Sequence, residues 1–169
     1  MMHPIYTPHY FPSLEYTMSG IVPSDEAKAA YERVKTGKDS WAVFEVVDEK
    51  SVECTKAVEL ASDKKASKFD DFEGEVYPSI VEYISENLTG KAGYIIVDIL
   101  RHFADRDQAK LTVISWCPEN KLKVKAKMLH GSTLNAVKQS FEGLQGKPYQ
   151  AANLGDLEFK DVLSEVGLA

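Results

Sequence analysis

The segment that decides the fold is residues 94–116, which read YIIVDILRHFADRDQAKLTVISW. Its two ends, residues 94–100 and 111–116, are short runs rich in isoleucine, valine and aromatic residues, and such runs are typical of buried strands. Pro118 follows the second run and stops it, because proline cannot donate a hydrogen bond to a neighbouring strand. The sequence therefore predicts two strands joined by a charged loop over residues 101–110.

Two other parts of the chain also have strand patterns. Residues 41–47 are aromatic and β-branched, and residues 52–60 alternate apolar and polar side chains, with Lys56 as the one exception. The turn residues 48–50 between them predict a hairpin, and residues 149–152 predict a short further strand. The residues of the alternating segment that share one face are Val52, Cys54, Val58 and Leu60.

Four segments repeat their apolar residues at the spacing of a helix, three or four positions apart. Ser24 can cap the first of them, and a glycine follows each of the first three. Their apolar positions are Ala27, Ala30, Tyr31 and Val34; Tyr77, Ile80 (or Val81), Ile84 and Leu88; Met128, Leu129, Leu134, Val137 and Phe141; and Phe159, Val162, Leu163 and Val166. Strands interspersed with helices predict an α/β (α+β) fold, a central mixed β-sheet of five to six strands flanked by helices on both faces.

The composition is that of a globular domain. The 169 residues are 44% hydrophobic and 27% charged, and no run reaches the length of about 18 apolar residues that a membrane span requires. The first residues lack the basic and apolar regions of a secretory signal. The net charge of −6 disfavours nucleic acid as a partner, because phosphates attract basic surfaces. We therefore expect a cytoplasmic protein with no transmembrane segment that does not bind nucleic acid.

No motif of catalysis stands out. The sequence has neither a glycine-rich phosphate-binding loop nor the GxSxG turn of hydrolases. Carboxylate pairs such as Asp70 and Asp71 lie in polar stretches, whereas a catalytic pair needs a shaped cleft. Cys54 and Cys117 are far apart, and the four histidines form no zinc-binding pattern. We therefore expect free thiols, no metal, no cofactor and no enzymatic activity.

Residues 1–17 differ from the rest of the chain. Three prolines recur at every fourth position among tyrosines, and proline at this density favours extended chain. The sequence Met18-Ser19-Gly20 then resembles a second start. We expect residues 1–17 to be a flexible leader, with a docking peptide as the alternative, and residues 18–169 to form a single domain.

The strongest charge feature is the alternating segment Lys121-Leu-Lys-Val-Lys-Ala-Lys127. Residues 121–147 contain six lysines and one acid, Glu142, so that a local charge of +5 accompanies −11 in the remainder. This asymmetry favours an acidic protein partner or an anionic headgroup, with a solvated connection kept soluble by lysine as the alternative. If the segment is extended, its four lysines share one face.

Three pieces of sequence around these lysines form one ordered pattern: Trp116-Cys-Pro-Glu-Asn120, Val124-Lys125-Ala-Lys127-Met128 and Ser132-Thr133. They resemble the signature W-x-P-[DE]-x-A-x-[VI]-[KR]-x-[KR]-M-x-Y-A-S-[ST] of the actin-depolymerising factor/cofilin family. The likeness continues in the right order from residue 18 to residue 167. It includes the amino-terminal Met18-Ser19-Gly20 and the pair Val162-Leu163 near the end.

The resemblance implies the ADF-homology fold over residues 18–169 and an actin-binding protein without chemistry of its own. It implies a monomer that binds monomeric and filamentous actin and promotes filament depolymerisation and turnover. By similarity, the start of the long helix lies between two actin subdomains, where Lys125 and Lys127 pair with actin carboxylates. The residues implied in this contact are Ser19, Gly20, Ile21, Lys125, Lys127, Met128, Ser132, Asn135 and Lys138.

Some positions depart from the family pattern. His130-Gly131 replaces the usual tyrosine-alanine, and Leu134-Asn135 replaces the usual lysine-aspartate. The family's second, filament-only site uses bases in a strand–strand loop and in the last helix, and the corresponding residues here are Arg106, Lys110 and Glu165. Acids are interleaved in this loop, and Glu165 stands where a base is common. We therefore expect weak filament severing relative to monomer binding.

Two further roles follow from the resemblance. Lys123, Lys125 and Lys127 are the candidates for binding a phosphoinositide headgroup, and a phosphoinositide-binding regulator is the alternative function. Ser19 matches the family position whose phosphorylation blocks actin binding, with a solvated serine as the alternative. The expected location is the cytoplasm with its actin cytoskeleton, and the nucleus is a second candidate.

Overall fold

The protein is built around one sheet. A computed structural model describes residues 19–61 and 68–169, so the predicted leader, residues 1–17, lies outside the described residues. The described strands are β1 (Val22–Pro23), β2 (Asp39–Val47), β3 (Ser51–Glu59), β4 (Gly93–His102), β5 (Asp107–Trp116) and β6 (Tyr149–Ala151). They form a six-stranded sheet in the order β1-β3-β2-β4-β5-β6, antiparallel in the middle and parallel at both edges. The predicted mixed sheet is confirmed, and β1 is the strand that the sequence pattern did not predict.

Four α-helices accompany the sheet, as predicted. They are α1 (Asp25–Lys35), α2 (Tyr77–Asn87), α3 (Val124–Ser140) and α4 (Phe159–Val166). At the start of α1 the Ala27 amide donates to Ser24 Oγ over 3.1 Å, so Ser24 is the predicted cap. A π-helical turn (Phe72–Val76) precedes α2, and a 3-10 turn (Leu154–Leu157) precedes α4.

The two faces of the sheet bury separate cores, because successive strand residues point in opposite directions. Ile95 and Val97 of β4 belong to the core that α2 and α4 cover, whereas Tyr94 and Ile96 belong to the core that α1 and α3 cover. Ile21 is buried in this second core as well. The helices therefore lie on both faces, as expected, and the N-terminal residues lie on the face of α1 and α3.

The prediction of a charged loop over residues 101–110 is wrong, because most of these residues belong to strands. Pairing between β4 and β5 continues from Gly93 opposite Trp116 to His102 opposite Asp107. The turn itself is short, and the Phe103 amide donates to the Arg106 carbonyl oxygen over 2.9 Å. Charged side chains are compatible with strand here, since this end of the hairpin is largely exposed and both faces reach water.

The expectation of one continuous buried face on the second hairpin strand is also wrong. Phe44 pairs with Cys54 whereas Val43 pairs with Lys56, so Thr55 is an extra residue on β3. Such a bulge reverses the alternation of side chains beyond it. Cys54 packs against the core of α1 and α3, and Val58 packs against the opposite core.

Two other sequence expectations concern the thiols and the membrane. Cys54 and Cys117 are free thiols, each half-buried. In residues 19–61 and 68–169, no helix is long and apolar enough to cross a membrane. The same ranges hold no group of three or more His, Cys, Asp or Glu side chains placed to bind a metal ion.

Candidate functional site

The lysine-rich segment forms the beginning of α3 instead of continuing as extended chain. Lys123 takes extended dihedral angles at the N-cap, and helical residues begin at Val124. Lysine, alanine and methionine are good helix formers, which favours this outcome. On a helix, Lys125 and Lys127 lie about 200° apart around the axis, so they point to different sides. The four lysines therefore do not share one face, because that arrangement required an extended segment and the helix begins at Val124.

Exposed apolar side chains stand on the first turns of α3. Val124 is 73% exposed and Met128 is 69% exposed, and their four-residue spacing places them on one side of the helix. β1 packs against α3 and adds Val22, which is 46% exposed. We call the surface formed by residues 19–22 and the outward side chains of residues 124–128 the α3 face. Covering its apolar area by a partner removes that area from water, which is favourable.

Residues 19–22, which we call the N-terminal arm, lie beside α3. Ser19 Oγ lies 3.0 Å from Thr133 Oγ1, and the Ile21 amide donates to Ser19 Oγ over 3.3 Å. Gly20 is exposed and has a φ of 70°, whereas Ile21 is buried. The structure therefore brings Ser19 and Gly20 to the α3 face and uses Ile21 to anchor them.

The two lysines of the α3 face have different partners within the chain. Lys125 Nζ lies 2.7 Å from a carboxylate oxygen of Glu49, in the turn between β2 and β3. Lys127 Nζ donates to the Glu119 carbonyl oxygen. Both members of the Lys125–Glu49 pair are exposed, and exposed ion pairs contribute at most about 1 kcal/mol. A carboxylate of another protein can therefore replace Glu49 at little cost.

The inward side of α3 is fixed to the sheet through His130. Its ring stacks on that of Tyr94 with centroids 4.3 Å apart, and its Nε2 lies 2.8 Å from Ser115 Oγ. The Tyr94 hydroxyl donates to the His130 carbonyl oxygen over 2.5 Å. Burial lowers the pKa of His130 to about 4, so the ring is neutral near pH 7. This departure from the family pattern therefore serves the packing of α3.

The remaining residues predicted on the helix lie further along it. Ser132 is half-buried, and its hydroxyl donates to the Leu129 carbonyl oxygen over 3.2 Å. Asn135 and Lys138 are exposed. Asn135 follows Met128 by seven positions, which places it two turns further on the same side of α3.

The three residues predicted for a separate filament contact lie away from the α3 face. Arg106 is in the turn of the β4–β5 hairpin, with its guanidinium 5.8 Å from the centre of the Phe103 ring. Lys110 Nζ donates to the Val166 carbonyl oxygen at the end of α4, and Glu165 is exposed on α4. The structure brings Lys110 to α4, and it places Arg106 and Lys110 at the beginning of β5, the opposite end from the one that leads to α3.

Sequence reasoning missed one residue of the α3 face, Val124, and two residues that contact it, Thr133 and Glu49. Val124 could have been found from its four-residue spacing before Met128. Thr133 was quoted only as part of a motif, although it falls on the buried side of α3 with His130 and Val137. Glu49 carries no local signal, since it is 76 positions away from Lys125 in the sequence.

Comparison with known proteins gives one consistent family. Residues 20–167 match the family described as cofilin/tropomyosin-type actin-binding proteins. The chain is 24% identical over 151 residues to a cofilin of Ogataea parapolymorpha, a match that covers 88% of this chain and 93% of that protein.

Solved structures of similar proteins have the same fold. Actin depolymerization factor 2 of Plasmodium berghei gives a TM-score of 0.70 at 15% identity, covering 88% of this chain and 97% of that one. ADF/cofilin of Trypanosoma brucei gives a TM-score of 0.63 at 24% identity, covering 89% and 97%. Because the family match spans nearly all of the described residues, the chain belongs to the actin-depolymerising factor/cofilin family of actin-binding proteins.

Proposed function

We propose that this protein binds monomeric and filamentous actin through the α3 face and promotes filament depolymerisation and turnover. The observation that carries the proposal is the pair of exposed apolar residues, Val124 and Met128, with Lys125 and Lys127 beside them. An interface commonly has this arrangement, in which apolar side chains supply most of the affinity and charges around them set orientation.

The charge of the α3 face suits an acidic partner such as actin. The lysines of residues 121–147 make this part of the chain basic while the remainder is acidic. Opposite charges raise the rate of encounter and select the orientation of binding. Filament turnover follows if the protein binds one filament conformation more tightly than another, because a ligand shifts an equilibrium only by its differential affinity.

Filament severing is proposed to be weak. Lys110 is held on the end of α4, and Arg106 lies against Phe103. Asp105 and Asp107 stand beside these bases in the same hairpin. Lys110 must leave a partly buried contact before it can pair with a carboxylate of a filament, and the acids beside it repel an acidic partner. This end of the molecule is therefore expected to bind the sides of filaments weakly.

The test is a titration of fluorescent monomeric actin with the protein at low and high salt, together with the rate of nucleotide exchange on actin. We expect saturable binding that weakens as salt increases and a changed exchange rate. A chain that begins at Ser19 is expected to bind as the full chain does. Absence of binding, or affinity that is the same at all salt concentrations, would contradict the proposal.

A phosphoinositide headgroup is the second candidate for the same surface. Lys123, Lys125 and Lys127 are grouped at the start of α3, where none of the described side chains caps the helix, and free amides at a helix start favour anions. The groove beside them is also lined by Glu45, Asp48 and Glu49, which disfavour an anion. Pelleting with vesicles that contain phosphatidylinositol bisphosphate, with and without actin, tests this candidate. Binding to vesicles that actin does not reduce would contradict a shared surface.

A further inference from the structure

Thr133 connects the N-terminal arm to α3 although its side chain is fully buried. Its hydroxyl oxygen lies 3.0 Å from that of Ser19, which is 114 positions earlier in the sequence. Burial raises the pKa of Tyr94 above its usual value, and a hydrogen bond from Thr133 opposes this rise. Tyr94 in turn donates to the carbonyl oxygen of His130 in α3.

The hydroxyl groups of Ser19 and Thr133 lie within hydrogen-bond distance of each other beside α3. Each hydroxyl supplies a single hydrogen. Tyr94 gives its hydrogen to the His130 carbonyl oxygen, and in the Ser19–Thr133 contact either hydroxyl can be the donor. The oxygen of Ser19 remains available to accept from the Ile21 amide, as observed at 3.3 Å. The arm is thus joined through side-chain hydroxyls to the backbone of α3.

The arm has little else to hold it before Ile21. Gly20 is exposed, and none of the described residues lies within 4 Å of the point where a Cβ would stand. Ile21 is buried, but it fixes the chain only from that residue onward. The placement of Ser19 and Gly20 next to α3 therefore depends on the Ser19–Thr133 contact.

We propose that Thr133 is a positioning residue, whose buried hydroxyl holds Ser19 against α3 so that the arm and the helix present one surface to actin. The inference rests on the proposed function and adds a residue to it. A group attached to Ser19 Oγ replaces its hydrogen and adds bulk at an oxygen only 3.0 Å from the buried Thr133 hydroxyl, so modification there disrupts the contact in addition to adding charge.

Four variants isolate the contact. Thr133→Val removes the hydroxyl while keeping the shape of the side chain, and Thr133→Ser keeps the hydroxyl. Ser19→Ala removes the other partner. Thr112→Val is the matched control, because Thr112 is also buried, and its hydroxyl has no partner among the described residues. Thr112 lies opposite Val97 on β4, on the sheet face away from α3.

The first measurement is affinity for monomeric actin, with thermal unfolding to establish that each variant is folded. Thr133→Val and Ser19→Ala should each weaken binding roughly 2- to 10-fold, the range that one hydrogen bond accounts for. The double variant, Ser19→Ala with Thr133→Val, should bind no more weakly than either single variant, since each single variant already removes the whole Ser19–Thr133 contact. Thr133→Ser and Thr112→Val should bind like the unmodified protein.

Additive losses in the double variant, or unchanged affinity of a folded Thr133→Val, would overturn the inference. Hydrogen exchange at the Ile21 amide, measured without actin, tests the role of Thr133 independently of the proposed function. Exchange there should be faster in Thr133→Val and Ser19→Ala than in Thr112→Val. Unmodified protein that does not bind actin refutes the proposed function, whereas unchanged exchange at Ile21 refutes the role of Thr133.

Discussion

The α3 face and the tip of the β4–β5 hairpin are both basic, yet their charges are used differently. On the α3 face, lysines surround exposed apolar side chains, and the partner of Lys125 is an exposed carboxylate. At the hairpin, Lys110 donates to the end of α4, and Arg101 and Arg106 both lie against Phe103. A count of bases therefore does not identify a binding surface. What distinguishes the α3 face is exposed apolar area beside lysines whose contacts within the chain are exposed, whereas the contact of Lys110 is partly buried.

The largest expected effect tests the α3 face directly. Changing Lys125 and Lys127 together to alanine should weaken monomeric actin binding by about 2 to 4 kcal/mol, because charge pairs within an interface contribute about 1 to 3 kcal/mol each. The matched control is Lys35→Ala with Lys38→Ala, which removes the same charge at and just after the end of α1, where Lys35 lies near Gly143 beyond the other end of α3. Equal losses in the two double variants would show that net charge alone matters.

The second prediction concerns the support of the α3 face. Burial lowers the pKa of His130 from 6.5 to about 4. Between pH 6.5 and pH 4, the imidazole of His130 is therefore protonated in the unfolded chain but largely neutral in the folded one. Stability should therefore fall as pH drops from about 6.5 to 4, by roughly 3 kcal/mol from this group.

Chemical unfolding over this pH range measures the effect of His130. His130→Gln should make the fall shallower, while His102→Gln, on the exposed hairpin, should leave it unchanged. A pH dependence that is identical in the two variants would remove the role assigned to His130.

The third prediction concerns Ser19. Ser19→Asp should weaken actin binding by about 1 to 3 kcal/mol, because it removes the hydroxyl bonded to Thr133 and places a negative charge opposite an acidic partner. Phosphorylation, which adds nearly two negative charges, should weaken binding further. Ser85→Asp on α2 gives the same charge change on the other face of the sheet. If Ser19→Asp binds as Ser85→Asp does, Ser19 has no part in the contact.

The fourth prediction tests the hairpin side of the comparison. Because its bases already have partners and acids are interleaved, we expect few severing events per filament at substoichiometric protein. Microscopy of single filaments measures this directly, with monomer binding of the same preparation as reference. Frequent severing would show that the internal partners of Arg106 and Lys110 do not limit filament contact.

The smallest effect refines the account of Lys125. Glu49→Gln should strengthen actin binding by less than about 1 kcal/mol, since it removes an exposed competitor for the Lys125 ammonium. Glu59→Gln is the control, as it makes the same charge change at the other end of β3. Equal effects of both variants would mean that Lys125 and Glu49 do not compete with actin in solution.

Patterns within a few residues of each other predicted most of the elements. Ser24 was expected to cap α1 and does so, and the apolar runs of β4 and β5 lie where they were expected. Such signals are readable because helix and strand periodicities depend on neighbouring residues. The polar part of the hairpin was misassigned because exposed strands carry no apolar pattern.

The candidate site was predicted only in part. Lys125, Lys127 and Met128 were assigned through the family resemblance, and they lie at the start of α3. The contact of Ser19 with Thr133 joins positions 114 residues apart, and no local pattern marks it. It depends on how β1 pairs with β3 and how α3 packs on the same face of the sheet.

The sequence by itself determined the helices, the strand-forming runs, the mixed sheet and the family, because these follow from local periodicity and an ordered motif. Only the tertiary structure decided which charges are exposed beside apolar surface and which are already bonded. Thr55 reverses the faces of β3, and sheet pairing brings Glu49 to Lys125 and the N-terminal arm to Thr133. These outcomes depend on the register between distant segments, which is set by packing of the whole chain and not by any single stretch of it.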